Sequence, residues 1–275
     1  MTSSAPGRKH QTYALIHCLS IGLWEAKDLV LGKVIACTCV RINRVLSKSV
    51  GCLVLILKFL KVKDIPVLFW SSPKALTLRP PFTSFAFLII GLAIFGLGEA
   101  LLIAAGYGVS PWTVFAQGLT TITGWSIGFA TFAISISVLI LWVPLRQTPG
   151  VGTICNAIII ALVLEYILPY LPRFEFEALQ LSQAVLGVIV TGFGGAIYLV
   201  SNLGPGPRDG LMTGLQRLTN LPIASVRASL EISVVIIGWS LGGTVGLGTV
   251  LFALGIGPAV SASLFALNYI FEIKK

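Results

Sequence analysis

The chain has 275 residues, of which 56% are hydrophobic and 11% are charged, and its formal net charge is +9. A soluble globular protein carries about 25% charged residues, so the composition excludes that class and indicates an integral membrane protein. Residues 1–79 hold twelve of the nineteen Lys and Arg residues but three of the ten acids, whereas residues 80–275 hold seven of each sign. The positive charge is therefore local, and we expect no nucleic-acid partner.

Residues 1–75 form a basic leader that differs from the rest of the chain. Its apolar stretches, 30–40 and 50–60, are interrupted by charged residues such as Lys33 and Lys58. A charge at the centre of a membrane helix is costly, so neither stretch is a good span. One interpretation is that the start codon was assigned upstream of the true one. The alternative is a cytoplasmic basic arm that contacts anionic lipid.

Enzymatic residue types are scarce outside this leader. Both histidines and four of the five cysteines lie within it, which leaves Cys155 alone in the remainder. One thiol cannot build a zinc cluster, and without histidine there is no ordinary general base near neutral pH. We therefore expect no metal, no cofactor and no enzymatic activity.

Two membrane repeats of about 96 residues follow, at 76–172 and 173–275. Their matched segments are Gly108-Val-Ser-Pro111 with Gly204-Pro-Gly-Pro207, and Gly150-Val-Gly-Thr153 with Gly246-Leu-Gly-Thr249. Each repeat contains a long apolar helix, a Gly/Pro break, a short helix and two further spans. The predicted helices are 83–106, 111–123, 126–143 and 152–170, then 179–202, 207–219, 222–241 and 247–268. The expected fold is an all-α, polytopic transmembrane bundle.

The short helices decide the predicted topology. Thirteen residues reach only about 20 Å, which is too short to cross about 30 Å of hydrocarbon. If they are re-entrant, each repeat has three spans, and the second repeat is inverted relative to the first. The positive-inside rule supports this arrangement with both termini cytoplasmic, because only Arg173 then lies outside. The basic residues placed inside are Arg79, Arg146, Arg208, Arg217, Arg227 and Lys274-Lys275.

The break in the second repeat is the first candidate site. Pro205 and Pro207 remove backbone donors and end the preceding helix, while Gly204 and Gly206 allow the chain to turn sharply. Pro207 suits the first position of the next helix, and Gly206 suits its cap.

The next two residues are charged. Asp209 is favourable at the positive end of the helix dipole, but Arg208 is not, so Arg208 is expected to have an anionic partner. One interpretation is a half-helix end that binds a small anionic substrate. The alternative places Arg208 at the inner headgroup level, with Asp209 as a simple helix starter. The matched residue Trp112 is interpreted mainly as an interface anchor on the outer face.

Ionisable side chains within the spans are further candidates, because charge in lipid is costly. Glu99, among small residues, is the best candidate for a proton or cation site, and its alternative is a hydrogen-bonded structural acid. Arg227 and Glu231 are four residues apart and are expected to form an intrahelical ion pair near the inner surface. Asn156 is expected to supply neutral hydrogen bonds, either to a ligand or between helices.

Four motifs in order resemble the YczE branch of the YczE/YyaS/YitT family over residues 76–268. The resemblance implies a bacterial cytoplasmic-membrane protein but no particular reaction. Relatives often carry an acid directly after the first-repeat Trp, where this chain has Thr113, so a role for paired acids in the two breaks is not supported. The motifs are Gly108-Val-Ser-Pro-Trp112, Pro144-Leu-Arg146 with Pro149-Gly-Val-Gly-Thr153, Leu203-Gly-Pro-Gly-Pro-Arg-Asp-Gly-Leu-Met-Thr-Gly214 and Gly242-Gly-Thr-Val-Gly-Leu-Gly-Thr249.

The function expected from these features is transport of a small molecule. Broken helices in matched positions of two repeats are typical of secondary transporters. The alternative is a non-transporting accessory protein that stabilises or recruits a complex. The expected partners are the lipid bilayer, a small anionic substrate or a proton or other cation, and a second copy or a membrane partner protein.

Overall fold

The computed structural model describes residues 65–272, and all of them belong to one compact unit, Phe59–Lys275. The predictions for the leader stretches 30–40 and 50–60, and for Lys274 and Lys275, lie outside the described residues. The described part of the chain is helical and contains no strand.

Eight α-helices follow the predicted order. The short helices have the predicted limits, and the longer ones differ from the predicted limits by a few residues. A single 3-10 turn, Leu168–Tyr170, follows the fourth helix. The helices are α1 (Phe82–Ala105), α2 (Pro111–Thr123), α3 (Ile127–Trp142), α4 (Val151–Ile167), α5 (Glu177–Val200), α6 (Pro207–Thr219), α7 (Ile223–Ser240) and α8 (Leu247–Glu272).

The helix lengths support an integral membrane protein. Within residues 65–272, five segments are long and apolar enough to cross a bilayer, and they correspond to α1, α4 with its 3-10 turn, α5, α7 and α8. Helices α2 and α3 pass the same test only as a pair bent by 113°, which would bring the number of spans to six. The pair is therefore either one broken span or a re-entrant helix followed by a short span.

Closely packed glycines hold α1 against α5. A Cβ atom added to Gly91 would lie 3.0 Å from the carbonyl oxygen of Gly194, and one added to Gly187 would lie 2.9 Å from that of Gly98. Small residues of this kind let two helix backbones approach closely. The earlier glycine of α1, Gly91, contacts the later glycine of α5, Gly194, whereas Gly98 contacts Gly187. The two helices therefore run antiparallel.

The chain has two helix breaks, one between α1 and α2 and one between α5 and α6. Each break packs against a Gly-x-Gly-Thr segment from the other half of the chain, either Gly246–Thr249 or Gly150–Thr153. The Gly152 N–H donates to the Leu203 carbonyl at 2.8 Å, and the Gly248 N–H donates to the Tyr107 carbonyl at 2.8 Å. Both donors and both acceptors are 96 residues apart in sequence. The first break is thus held by the start of α8, and the second by the start of α4.

The two halves differ in how their last two helices meet. Among the described residues, α3 packs along α4, whereas α7 and α8 have at most marginal contact with each other. The separation of α7 from α8 leaves room for a cavity on that side.

The end of the predicted leader packs on this bundle. Trp70 is buried and stacks on Phe87 with ring centroids 4.5 Å apart. The Ser72 N–H donates to the Ser201 carbonyl at 3.0 Å, and the Asn202 amide donates to the Ser72 carbonyl at 2.8 Å. These contacts tie residues 70–72 to the end of α5.

Candidate functional site

A cavity of about 370 Å³ lies at the start of α6. The polar residues that line it are Asn156, Tyr198, Arg208, Asp209, Arg227, Glu231 and Ser261. Apolar and aromatic side chains from six helices line it as well, and they include Phe95, Trp112, Ile160, Leu199, Met212 and Phe252. A mostly apolar pocket with a few convergent polar groups is the usual form of a small-molecule site.

Backbone geometry places the charged residues at this cavity. Gly204 has φ +109°, which side chains rarely tolerate, and it allows the turn that ends α5. Gly206 is the N-cap of α6 and Pro207 its first residue, as predicted. The Trp142 indole N–H donates to the Pro207 carbonyl at 2.9 Å, and the Thr153 hydroxyl donates to the Pro205 carbonyl at 2.7 Å. The start of α6 is therefore held in place from α3 and α4.

Arg208 is the cation without a direct partner in this cavity. Its guanidinium lies 5.2 Å from the centroid of the Trp112 ring, within the range of a cation–π interaction. It lies close enough to Asp209, to Glu231 and, when that residue is ionised, to Glu99 for their negative charge to stabilise it. Within residues 65–272, however, no carboxylate approaches it within 4 Å, and the structure gives it no hydrogen bond. Its donors are available to an anionic ligand.

The other charged groups of the cavity have partners within it. The Tyr198 hydroxyl donates to Asp209 Oδ2 at 2.9 Å. The Arg227 Nε donates to Glu231 Oε1 at 2.9 Å, which confirms the predicted intrahelical ion pair. Because Arg227 is already paired with Glu231, the guanidinium of Arg208 is the cationic group of the cavity best able to bind an anionic ligand.

Glu99 lies outside the cavity lining and forms a separate polar cluster. Its side chain is 1% exposed, and its Oε2 accepts hydrogen bonds from the hydroxyls of Ser110 at 2.7 Å and Thr113 at 2.8 Å. The two hydroxyl oxygens are 2.8 Å apart. The other carboxyl oxygen, Oε1, is buried without a hydrogen-bond partner. The cluster joins α1 to the start of α2.

The interpretation of Trp112 as an interface anchor is wrong. The side chain is only 8% exposed and packs in the core with Trp142, Leu211 and Val234. An aromatic anchor must reach the headgroup region, whereas this ring lies between the first break and Arg208.

The structure therefore brings most of the predicted residues together at the cavity. Asn156, Gly206, Arg208, Asp209, Trp112, Arg227 and Glu231 line it, Gly204 and Pro207 shape the break, and Glu99 lies in the adjoining cluster. Three partners were missed by sequence reasoning: Tyr198, Ser110 and Thr113. A signal existed for the last two, since Ser110 directly precedes Pro111 and Thr113 follows it by two residues.

No metal site emerges from the described residues, because no three His, Cys, Asp or Glu side chains among them are placed to share an ion.

Three similar proteins are each described as uncharacterised. An uncharacterised protein from Haemophilus influenzae is 41% identical over 210 residues, which cover 76% of this chain and 94% of that protein. The uncharacterised membrane protein YczE from Bacillus subtilis is 30% identical and covers 65% of this chain and 84% of its own length. The uncharacterised protein YyaS from the same organism is 27% identical, with coverages of 59% and 83%.

No solved structure is significantly similar to the chain. The sequence pattern of a family described as a family of unknown function (DUF6198) matches residues 82–264. That range contains both helix breaks, the cavity residues from Phe95 to Ser261 and the Glu99 cluster. The chain is thus a membrane protein that belongs to the DUF6198 family and is similar to YczE and YyaS.

Proposed function

We propose that this protein transports a small organic anion across the bacterial cytoplasmic membrane and binds it in the cavity against Arg208. The observation that carries the proposal is the guanidinium of Arg208, which has no ion-pair partner among the described residues and lines a cavity of about 370 Å³ at the start of a broken helix. Pockets for small molecules in proteins enclose roughly 300–1,000 Å³. Arginine presents a fork of donors that matches carboxylate or phosphate geometry.

The cavity suits an anion with an apolar body. Trp112 covers one face of the guanidinium and restricts where the anionic group can approach. The N–H groups at the start of α6 add a favourable field for negative charge. Phe95, Phe252 and Ile256 would then contact the hydrocarbon part of the ligand.

An inverted arrangement of the two halves is part of this proposal. The antiparallel contact of α1 with α5 pairs Gly91 with Gly194 and Gly98 with Gly187. The 96-residue offset exchanges these two contacts, as expected if a two-fold axis lies in the membrane plane. Trp112 and Arg208, which also occupy matched positions, contact each other where the two breaks meet. Inverted halves supply a mechanism, since rocking one half against the other would expose the cavity to alternate sides.

The two halves differ in the packing of their last two helices, and this difference fits one state of a transport cycle with alternating access. The separated α7 and α8 open the cavity on one side, while the packed α3 and α4 close the matched position. In the opposite state we expect α7 and α8 to close and α3 and α4 to separate.

The membrane location is a further element of the proposal. Relatives in Haemophilus influenzae and Bacillus subtilis support a bacterial cytoplasmic membrane. We place both termini on the cytoplasmic side, because this orientation puts most of the arginines there. Cysteines introduced at Gly124 and Asn220, in a background without native cysteines, should label from opposite sides of the membrane. Labelling from the same side would contradict the inverted arrangement.

A thermal-shift screen tests the binding site. The purified protein is heated with carboxylates, phosphate esters and sulfonates, since a ligand at 100 times its Kd should stabilise it by about 2.7 kcal/mol. Arg208→Gln should abolish the shift. Arg217→Gln is the matched control, because that arginine is exposed in the last turn of the same helix. A shift retained by Arg208→Gln would contradict the site.

Uptake then separates transport from binding. Radiolabelled ligand from the screen should accumulate in proteoliposomes with wild-type protein and with Arg217→Gln, but not with Arg208→Gln. Binding without uptake would favour the accessory-protein alternative, in which the same cavity regulates a complex.

A further inference from the structure

The Glu99 cluster contains more close oxygen contacts than its hydroxyl groups can supply with hydrogens. Glu99 Oε2, Ser110 Oγ and Thr113 Oγ1 form a triangle with sides of 2.7, 2.8 and 2.8 Å. All three distances are typical of O–H···O hydrogen bonds, and each such bond requires one hydrogen. The two hydroxyls provide two hydrogens for three contacts.

An ionised carboxyl group leaves one contact unexplained. If both hydroxyls donate to Oε2, the Ser110 and Thr113 oxygens face each other at 2.8 Å with lone pairs only. A proton on the carboxyl group removes this conflict. It lets Oε2 donate to one hydroxyl, which donates to the second, which donates back to Oε2, so that every side of the triangle has a hydrogen.

Burial points to the same state. Glu99 Oε1 has no hydrogen-bond partner within residues 65–272, and the residue is 1% exposed. A buried oxygen without a hydrogen bond costs far more free energy when it belongs to an ionised carboxylate than when it belongs to a neutral carbonyl group. Ser110 also supports it, since its hydroxyl does not cap α2 although the residue is the N-cap.

We propose that Glu99, Ser110 and Thr113 form a proton-binding site that is occupied in this conformation. The proton resides on the Glu99 carboxyl group and is shared around the three oxygens.

The site adjoins the cavity through α2. Thr113 follows Trp112, whose ring contacts Arg208, and Glu99, once ionised, would interact electrostatically with Arg208, as Asp209 and Glu231 do. Loss of the proton would create a carboxylate that competes with a bound anion for the field of Arg208. Proton and anion should therefore bind together, a consequence that rests on the proposed function, whereas the proton site itself does not.

Infrared spectroscopy tests the proton site without any ligand. A protonated carboxyl group has a C=O stretching band that is separate from the carboxylate and amide bands. The wild-type spectrum at neutral pH should contain such a band, and Glu99→Gln should lose it. Glu175→Gln, which changes an exposed acid in the loop before α5, should retain it. Retention of the full band in Glu99→Gln would overturn the proposal.

Two further measurements keep the test decisive. Thr113→Val leaves the carboxyl group in place but removes one hydrogen-bond partner, so the band should shift in frequency and persist. An unshifted band would show that Thr113 is not part of the site. Spectra in sodium chloride and in choline chloride should be identical; a band that sodium removes would identify a metal-cation site instead. All of these outcomes are independent of whether an anion is transported.

Discussion

The two helix breaks of this protein share a backbone. Gly108 and Gly204 both have φ +109°, and each break leads into a thirteen-residue helix that begins with proline. Each is also held by an N–H from a Gly-x-Gly-Thr segment in the other half of the chain.

Each break pairs an acid with a hydroxyl group, but the helices that carry the two groups are exchanged between the breaks. In the first, the acid Glu99 lies on the long helix and the hydroxyl of Thr113 on the short helix. In the second, the hydroxyl of Tyr198 lies on the long helix and the acid Asp209 on the short helix. The first pair is sealed in the core, and the second lines the cavity. The frame of the breaks is constrained by close backbone contacts, whereas their side chains can diverge in function.

Substitutions at the close backbone contacts between the two halves should reduce stability the most. Gly98→Val would place a side chain against the backbone of Thr191 and Gly187 on α5, where there is no room for a Cβ atom. Overpacking typically costs about 1–3 kcal/mol, and more where backbone must move. We expect loss of the monodisperse folded protein by size-exclusion chromatography.

Gly257→Ala is the control for this substitution, because no atom lies within 4 Å of the added Cβ. It should elute as the wild type does. A well-folded Gly98→Val protein would show that the α1–α5 contact does not limit stability.

Moving the acid tests the exchange of chemistry. Thr113→Asp gives the first break the residue type of the second, but it places a second carboxyl group beside buried Glu99. We expect a fall in melting temperature equivalent to a few kcal/mol, on the order of the cost of an uncompensated buried charge. Adding Glu99→Gln should restore most of the loss, because one acid then remains. If the two substitutions are simply additive, Glu99 and residue 113 do not interact.

The smallest expected loss of stability comes from removing the hydrogen bond between Tyr198 and Asp209. Tyr198→Phe removes the hydrogen bond to Asp209, which is partly exposed to the cavity and can be rehydrated. We expect a loss of about 1 kcal/mol or less in thermal unfolding, the ordinary worth of one hydrogen bond. Tyr269→Phe, on the exposed surface of α8, should have no effect. A loss as large as that of Thr113→Asp would mean that the two pairs are equally enclosed.

Local features of this protein were predictable from its sequence. The limits of α2 and α6 follow from prolines at their first positions, and the Arg227–Glu231 ion pair follows from a four-residue spacing on one helix. The membrane environment follows from composition and from apolar helices of sufficient length. These properties depend on neighbouring residues, whose geometry the chain itself dictates.

Only the tertiary structure decided the contents of the two sites. The burial of Trp112, its contact with Arg208 and the partner of Asp209 all depend on helices that are distant along the chain. Glu99 could be recognised as an unusual acid, but its hydroxyl partners appear only once α1 and the start of α2 are packed together. Hydropathy reports that a segment is in the membrane, while packing determines which of its faces meets protein, lipid or cavity.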